Sequence, residues 1–394
     1  MSADAPAPPR WYKPMLARRP DQEHRAATPL ELFYDLVFVV AIAQAAVGLH
    51  HALAEDHWQS GLLGYAMVFF AIWWTWLNFA WFASAYDTDD TPYRIAVMVQ
   101  MAGALILAAG VEPAFEDQDF MTVIIGYSVI RAAMVAQWFR AARSDPERRT
   151  TCLRYAVGLI VVQLLWITAG LTVEGTAFIF VWLVLVAVDM AVPVHAERAA
   201  PTTWHAHHIT ERYGLLTIIV LGETVLAATM GVHSALEIGH DRTQVLVIAV
   251  AGLVTVFSMW WLYFDRPAHD LLTNLRMAFR WGYGHYVVFG SAAAVGAGLE
   301  VILGNVEGES HLSDTAAAAP LTIAVAVYIL SVWALQILPR DDVPLRWAYP
   351  ACAVLAALAA FAPQPVVVTA ILLAALVAWT VTVNHREALR TAQH

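Results

Sequence analysis

Apolar residues in this chain fall into long blocks separated by short polar segments. Twelve blocks stand out, at about residues 30–52, 58–84, 93–111, 120–142, 152–172, 176–195, 210–232, 243–264, 280–303, 315–338, 345–361 and 365–384. Each is near the roughly 20 residues that a helix needs to cross a hydrocarbon layer. Strands are excluded, because the blocks are too long and do not alternate between apolar and polar positions. The pattern predicts an all-α polytopic membrane protein with about twelve transmembrane helices. The last two are joined by a tight Pro-containing turn, Ala362 to Pro365, and no large extramembrane domain is left over.

Composition agrees. Of 394 residues, 60% are hydrophobic and 14% charged, against about a quarter charged in soluble domains. Residues 1–28 are polar, Pro-rich and basic, with Arg10, Lys13, Arg18, Arg19 and Arg25. They lack the apolar region of a signal peptide and read as a disordered cytoplasmic tail. Residues 386–394 read as a second cytoplasmic tail. Cys152 and Cys352 are too few and too far apart for a disulfide framework.

Charge placement orients the chain. With the N-terminus in the cytoplasm, the inside segments hold 20 of the 22 Lys and Arg residues, leaving Arg242 outside and Arg131 within a span. The outside loops are acidic or neutral. This segregation follows the positive-inside rule and predicts a multi-pass inner-membrane protein with both termini cytoplasmic.

An internal repeat is visible. "ELFYDLVFVVAIA" (Glu31 to Ala43) aligns with "ERYGLLTIIVLGE" (Glu211 to Glu223). Downstream, "WWTWLN" (Trp73 to Asn78) aligns with "WWLYFD" (Trp260 to Asp265), and the next blocks end "AAGVE" at Glu112 and "GAGLE" at Glu300. Three matches in the same order point to a duplication. The expected organisation is two parallel six-helix repeats, 29–200 and 201–385, related by an axis along the membrane normal.

"ELFYDLVFVVAIAQ" and "HITERYGLLTIIVLGETVL" resemble the two signatures of the bacterial low-temperature-requirement protein A (LtrA) family. "YDTDDTPYR" and the span from His285 to Glu300 are also similar, so the resemblance covers about residues 24–385. It implies a multi-pass inner-membrane protein linked by the family name to growth in the cold, and it brings no substrate or mechanism. The start of the first helix is also similar to the Phe-Ser-Asp helix of a family of potassium-permeable channels, with Tyr34 in place of the serine.

Polar residues within the apolar blocks carry the candidate chemistry. Glu31 and Asp35 share one helix face, with Asp35 a turn deeper. Glu31 has capping-box spacing from Thr28, and Pro29 suits the first helical position. Asp35 has no such role, and intramembrane acids usually face a bundle interior or a wet cavity. Glu223 is the deepest acid, and Gly222 beside it would let another helix approach closely. Arg131 is the one base well inside a span, with Glu223 or Asp35 as its natural partner. Asp35, Arg131 and Glu223 are thus the candidate ion or proton pathway. Asp189 lies nearer the cytoplasmic end, within reach of Arg198 or a histidine. His208, Glu211 and Arg212 are expected to form a hydrogen-bonded helix start. Asp87, Asp89 and Asp90 are candidates for a cation site, although Thr91 as a helix cap explains that segment more simply. The Trp73, Trp74 and Trp76 cluster reads as packing, as does Trp260 with Trp261.

Nucleotide-binding, zinc-protease, serine-hydrolase and Cys-x-x-Cys motifs are missing. No cofactor and no metal site is expected, the histidines matching no structural-zinc spacing, and no basic groove suggests nucleic acid. The net acidic interior favours a cation or proton over an anion. The leading expectation is therefore a cation- or proton-linked transporter or channel-like protein. Its partners would be the lipid bilayer, a cation or proton, and a small solute. The alternative is a non-transport protein, a lipid-modifying or membrane-adaptation factor needed in the cold.

Overall fold

A computed structural model describes residues 11–19, 25–238, 242–308, 310–340 and 342–391. Among these residues the regular structure is helical throughout. The helices are α1 (Pro29–Ala54), α2 (Trp58–Tyr86), α3 (Thr91–Ala109), α4 (Val111–Glu116), α5 (Met121–Ser144), α6 (Arg149–Thr172), α7 (Thr176–Glu197), α8 (Ala206–Ile238), α9 (Arg242–Phe264), α10 (Leu275–Glu307), α11 (Asp314–Val332), α12 (Val343–Leu358) and α13 (Pro365–Thr391). Eleven helices among the described residues are long and apolar enough to cross a membrane. Helices suit that setting because each satisfies its own backbone hydrogen bonds without water.

Helix boundaries follow capping chemistry. The apolar block expected from residue 280 begins earlier, at Leu275, because Asn274 caps α10 by accepting the Met277 N–H at 3.0 Å. The cap of α3 is Asp90, whose Oδ1 accepts the Tyr93 N–H at 3.1 Å. Thr91, expected to be the cap, is instead the first helical residue. A carboxylate serves here because it also meets positive charge, described below.

The N-terminal segment departs from the disordered tail read from composition. Residues 1–10 and 20–24 lie outside the described residues, but 11–19 and 25–28 make specific contacts. The Trp11 carbonyl accepts from Thr91 N and the Arg18 N–H donates to the Ala85 carbonyl at 2.8 Å. Basic side chains that look like a solvated tail are drawn onto the helix ends by their acids and carbonyls. The tail expected from residue 386 continues α13 as far as Thr391, and 392–394 lie outside the described residues.

The chain forms two compact units. The first contains the described residues of Met1–Phe38, Trp74–Gly110 and Asp119–Ile209, and the second those of Val39–Trp73, Val111–Gln118 and Thr210–His394. In the first unit α3 packs on α5, α5 on α6 and α6 on α7. The α3–α5 crossing is close: a Cβ added at Gly126 would lie 2.4 Å from the Leu107 nitrogen. Small residues let helix backbones approach in this way. Trp138 and Tyr155 stack between α5 and α6 at 4.1 Å.

In the second unit α10 packs on α11, α11 on α12, α12 on α13, and α9 on α13. Here Gly298 lies against the α11 backbone, its notional Cβ 2.5 Å from the Leu321 nitrogen. Buried tyrosines find carbonyls on neighbouring helices. Tyr65 donates to the Gly290 carbonyl at 2.7 Å, and Tyr286 donates back to the Ala66 carbonyl at 2.8 Å. Each removes a polar group that would otherwise be unsatisfied in an apolar core.

Candidate functional site

At the start of α1, Thr28 and Glu31 make reciprocal bonds. The Thr28 N–H donates to the Glu31 carboxylate at 2.8 Å, and the Glu31 N–H donates to the Thr28 hydroxyl at 3.3 Å. Glu31 does more than cap. Its Oε1 lies 3.1 Å from His208 Nε2 and 3.8 Å from the Arg25 guanidinium. Arg25 also donates to the Ala83 carbonyl at 2.6 Å and to the Ser84 carbonyl, near the end of α2. A cation there complements the negative end of the helix. Burial holds the Arg25 guanidinium below its ordinary value, against the raising effect of Glu31. Asp87, 3.2 Å from Arg18 and 3.8 Å from Arg25, is raised above the usual carboxylate value by burial and then by Glu31. Just before α8, His205 Nδ1 accepts the His208 N–H at 3.4 Å. This cluster fastens the ends of α1, α2 and α8 within the first unit.

The neighbouring acids are neutralised by arginines. Asp89 accepts two bonds from Arg94 at 2.8 Å. Asp90 accepts from Arg140 and from the Lys13 N–H. The acids considered for a cation site, Asp87, Asp89 and Asp90, are thus held by Arg18, Arg25, Arg94 and Arg140 of the chain itself.

Deeper in the first unit, Arg131 on α5 pairs with Asp189 on α7 at 2.5 Å. Neither Glu223 nor Asp35 takes the role expected of it as the arginine's partner, and Asp189 engages neither Arg198 nor a histidine. The Asp189 carboxylate is completely buried. It also accepts from Trp74 Nε1 at 2.8 Å, Trp166 Nε1 at 3.1 Å and the Tyr127 hydroxyl at 3.0 Å. Arg131 donates to the same Tyr127 hydroxyl at 2.8 Å. A buried ion pair persists when further donors meet its carboxylate in this way.

Asp35 accepts from Trp76 Nε1 at 2.7 Å. Trp74 and Trp76 are two residues apart, roughly 200° around a helix, so α2 serves one carboxylate on each side. The sequence reading of these tryptophans as packing residues misses this. The signal was available: indole carries one N–H donor, which in an apolar block has few acceptors except a buried acid.

In the second unit, Glu223 on α8 lies near enough to Glu300 on α10 for its charge to act on it. Glu300 in turn lies 3.8 Å from His50 Nδ1 on α1. Their side chains are partly accessible, 20% for Glu300 and 23% for His50. No Lys or Arg among the described residues pairs with either carboxylate. Gly222, expected to let a helix approach, has open space where a Cβ would stand. Glu211 is half-buried and Arg212 completely buried.

Further along α10, His285 Nδ1 lies 2.7 Å from the Trp281 carbonyl. A carbonyl only accepts, so Nδ1 carries the proton and Nε2 accepts from the Tyr263 hydroxyl, 2.9 Å away. The ring is enclosed by Tyr213, Trp281 and Phe289. Of the residues singled out as candidate pathway groups, the structure joins Arg131 to Asp189 and Asp35 to Trp76, and places Glu223 within range of the charge of Glu300.

Comparison with known proteins fits this picture. A protein of Rhizobium meliloti (strain 1021) named Uncharacterized protein RA0937 is 28% identical over 293 residues, which is 69% of this chain and 68% of the relative. No solved structure matches the chain. The family model described as Bacterial low temperature requirement A protein (LtrA) matches residues 26–384. Those residues include Glu31 with His208, the Arg131 and Asp189 pair, and Glu223 with Glu300. The chain belongs to the bacterial low temperature requirement A protein family.

Proposed function

We propose that this membrane protein moves protons or small cations across the bilayer, with Glu223, Glu300 and His50 as the exchangeable groups. One observation carries the reading. In the second unit Glu300 on α10 lies 3.8 Å from His50 on α1 and within range of the charge of Glu223 on α8, and among the described residues no Lys or Arg pairs with either carboxylate. Two carboxylates whose charges act on each other in a weakly polar setting do not readily both stay ionised without compensation; a proton on one of them or a bound cation supplies it. The acids on the first unit differ, since Asp189 is locked by Arg131 and three further donors. In this reading Arg131 is therefore structural, and Asp35 stays with Glu223 as a residue to test for exchange.

The reading places twelve spans in the inner membrane as two parallel six-helix repeats, with both termini cytoplasmic. Support comes from equivalent packing. The run α3, α5, α6, α7 and the run α10, α11, α12, α13 each pack in chain order. Gly110 and Gly298, at matching positions of "AAGVE" and "GAGLE", both lie against the backbone of the next long helix.

The test is reconstitution into liposomes with an imposed proton, Na⁺ or K⁺ gradient. Protein-dependent flux is expected, reduced at least tenfold in Glu223→Gln and Glu300→Gln and little changed in Trp261→Phe. Absence of flux under every gradient, or unchanged flux in both glutamine variants, overturns the reading.

A further inference from the structure

The second unit contains a cavity of about 670 Å³ between the ends of α9, α10, α11 and α13. Its polar lining is Thr243, Gln244, Asn305, Asp314, Thr315 and Gln364. A second depression, of about 520 Å³, shares Thr243, Val247 and Val367 with the first and continues along α9 and α13. Its walls are almost wholly apolar: Leu246, Val250, Val254, Ile371 and Ala374. The two form one cleft that is polar at its end and apolar along its length.

The dimensions fit the bilayer. From Thr243 to Val254 the groove follows eleven helical steps, ~17 Å at ~1.5 Å each. That is about half of a hydrocarbon core of ~30 Å, the depth of one leaflet. Leu246, Val250 and Ile371 are exposed on the groove, and in a membrane span such surface is met by acyl chains.

The polar end selects a headgroup. Ser313 already caps α11 by accepting the Ala316 N–H at 3.3 Å. Asp314 is therefore not needed as a cap, and no hydrogen bond or ion pair among the described residues engages its carboxylate. It lines the cavity as an anion without a counter-charge. Asn305 Oδ1 accepts from Ser310, which leaves its amide N–H groups as donors. Gln244, Gln364 and Thr315 add further donors. The first turns of α9, α11 and α13 border the same space, and their partial positive charge favours phosphate.

We propose that this cleft binds one glycerophospholipid whose headgroup carries both a phosphate and a primary ammonium. One acyl chain would lie along α9 and α13. The phosphate would meet the amide and hydroxyl donors, and the ammonium would meet Asp314. A primary ammonium presents three donors to the carboxylate, whereas a trimethylated amine presents none and a glycerol headgroup no positive charge. The proposal does not depend on the transport reading, since none of the cleft residues belongs to the Glu223, Glu300 and His50 group.

The test is lipid retention by the full chain, read by native mass spectrometry after exchange into mixed micelles. These contain equal palmitoyl-oleoyl phosphatidylethanolamine, phosphatidylcholine and phosphatidylglycerol. One bound lipid is expected, with phosphatidylethanolamine favoured at least fivefold. Val250→Trp fills the groove and should reduce retention of all three at least tenfold. Leu253→Trp, on α9 outside the groove, should leave retention unchanged and controls for folding. Asp314→Asn should keep a bound lipid but lose the preference. Equal retention of the three lipids by the natural chain, or a preference that survives Asp314→Asn, overturns the headgroup assignment. Retention unaffected by Val250→Trp overturns the cleft itself.

Discussion

One guanidinium nitrogen of Arg131 lies 2.5 Å from both carboxylate oxygens of Asp189. The pair joins α5 to α7, and Trp74 brings α2 to the same carboxylate while Trp166 brings α6. Four helices of the first unit thus share one acid. An arrangement in which every approach to a carboxylate is occupied by a donor fixes helix rotation and is poorly suited to releasing a proton or an ion.

Breaking this pair should be strongly destabilising. Arg131→Ala leaves Asp189 buried without its counter-charge, and such a loss typically costs about 3–5 kcal/mol. Trp166→Phe removes one of the acid's donors and keeps most of the packing, at about 1–2 kcal/mol. The order is checked by denaturant titration of the purified protein in detergent. Similar midpoints for the two variants would contradict the account.

Glu31 combines a cap with an ion pair, and two substitutions separate these roles. Glu31→Gln retains a side chain able to complete the capping box but loses the charge facing Arg25 and His208. Glu31→Ala loses both, and should be the less stable by about 1 kcal/mol, the usual worth of a cap. Thr28→Ala should cost about the same. Thermal unfolding of the three variants measures the split.

The Asp87 to Asp90 corner gives the pH dependence. For Asp90, burial acts upward, but bonds from Arg140, Lys13 and Tyr93 outweigh it and hold the carboxyl below 3.8. Hydrogen bonding from Arg94 likewise lowers Asp89. A depressed folded value contributes stability that is present above the unfolded value and is lost as pH falls through the folded one. Asp87 has the opposite sign: its raised value means that ionisation opposes folding, and acidification removes that penalty. Asp90→Asn should therefore flatten the loss of stability below about pH 4, whereas Asp87→Asn should not. Melting temperatures across the acid range read both effects.

Two glycines should respond in opposite directions. At Gly126 a methyl group would meet the Leu107 nitrogen at 2.4 Å, so Gly126→Ala must push α3 and α5 apart. An overpacked site of this kind costs about 1–3 kcal/mol. At Gly222 nothing lies within 4 Å, and Gly222→Ala gains helix propensity of about 1 kcal/mol. Melting temperatures lower for the first variant and equal or higher for the second are expected.

The sequence by itself determined that the chain is helical and built for a membrane. Apolar block length is a local property, and a helix in lipid satisfies its backbone within its own segment. The Thr28 and Glu31 cap was legible for the same reason, since three residues of spacing suffice. Partner choice was not legible. Arg131 and Asp189 are 58 residues apart, and Trp74 and Asp189 are 115 apart. Whether Arg131 meets Asp189 or another acid depends on how each helix is rotated and which neighbour it packs against. Those choices are set by close contacts such as Gly126 on Leu107 and Gly298 on Leu321, and only the tertiary structure decides them.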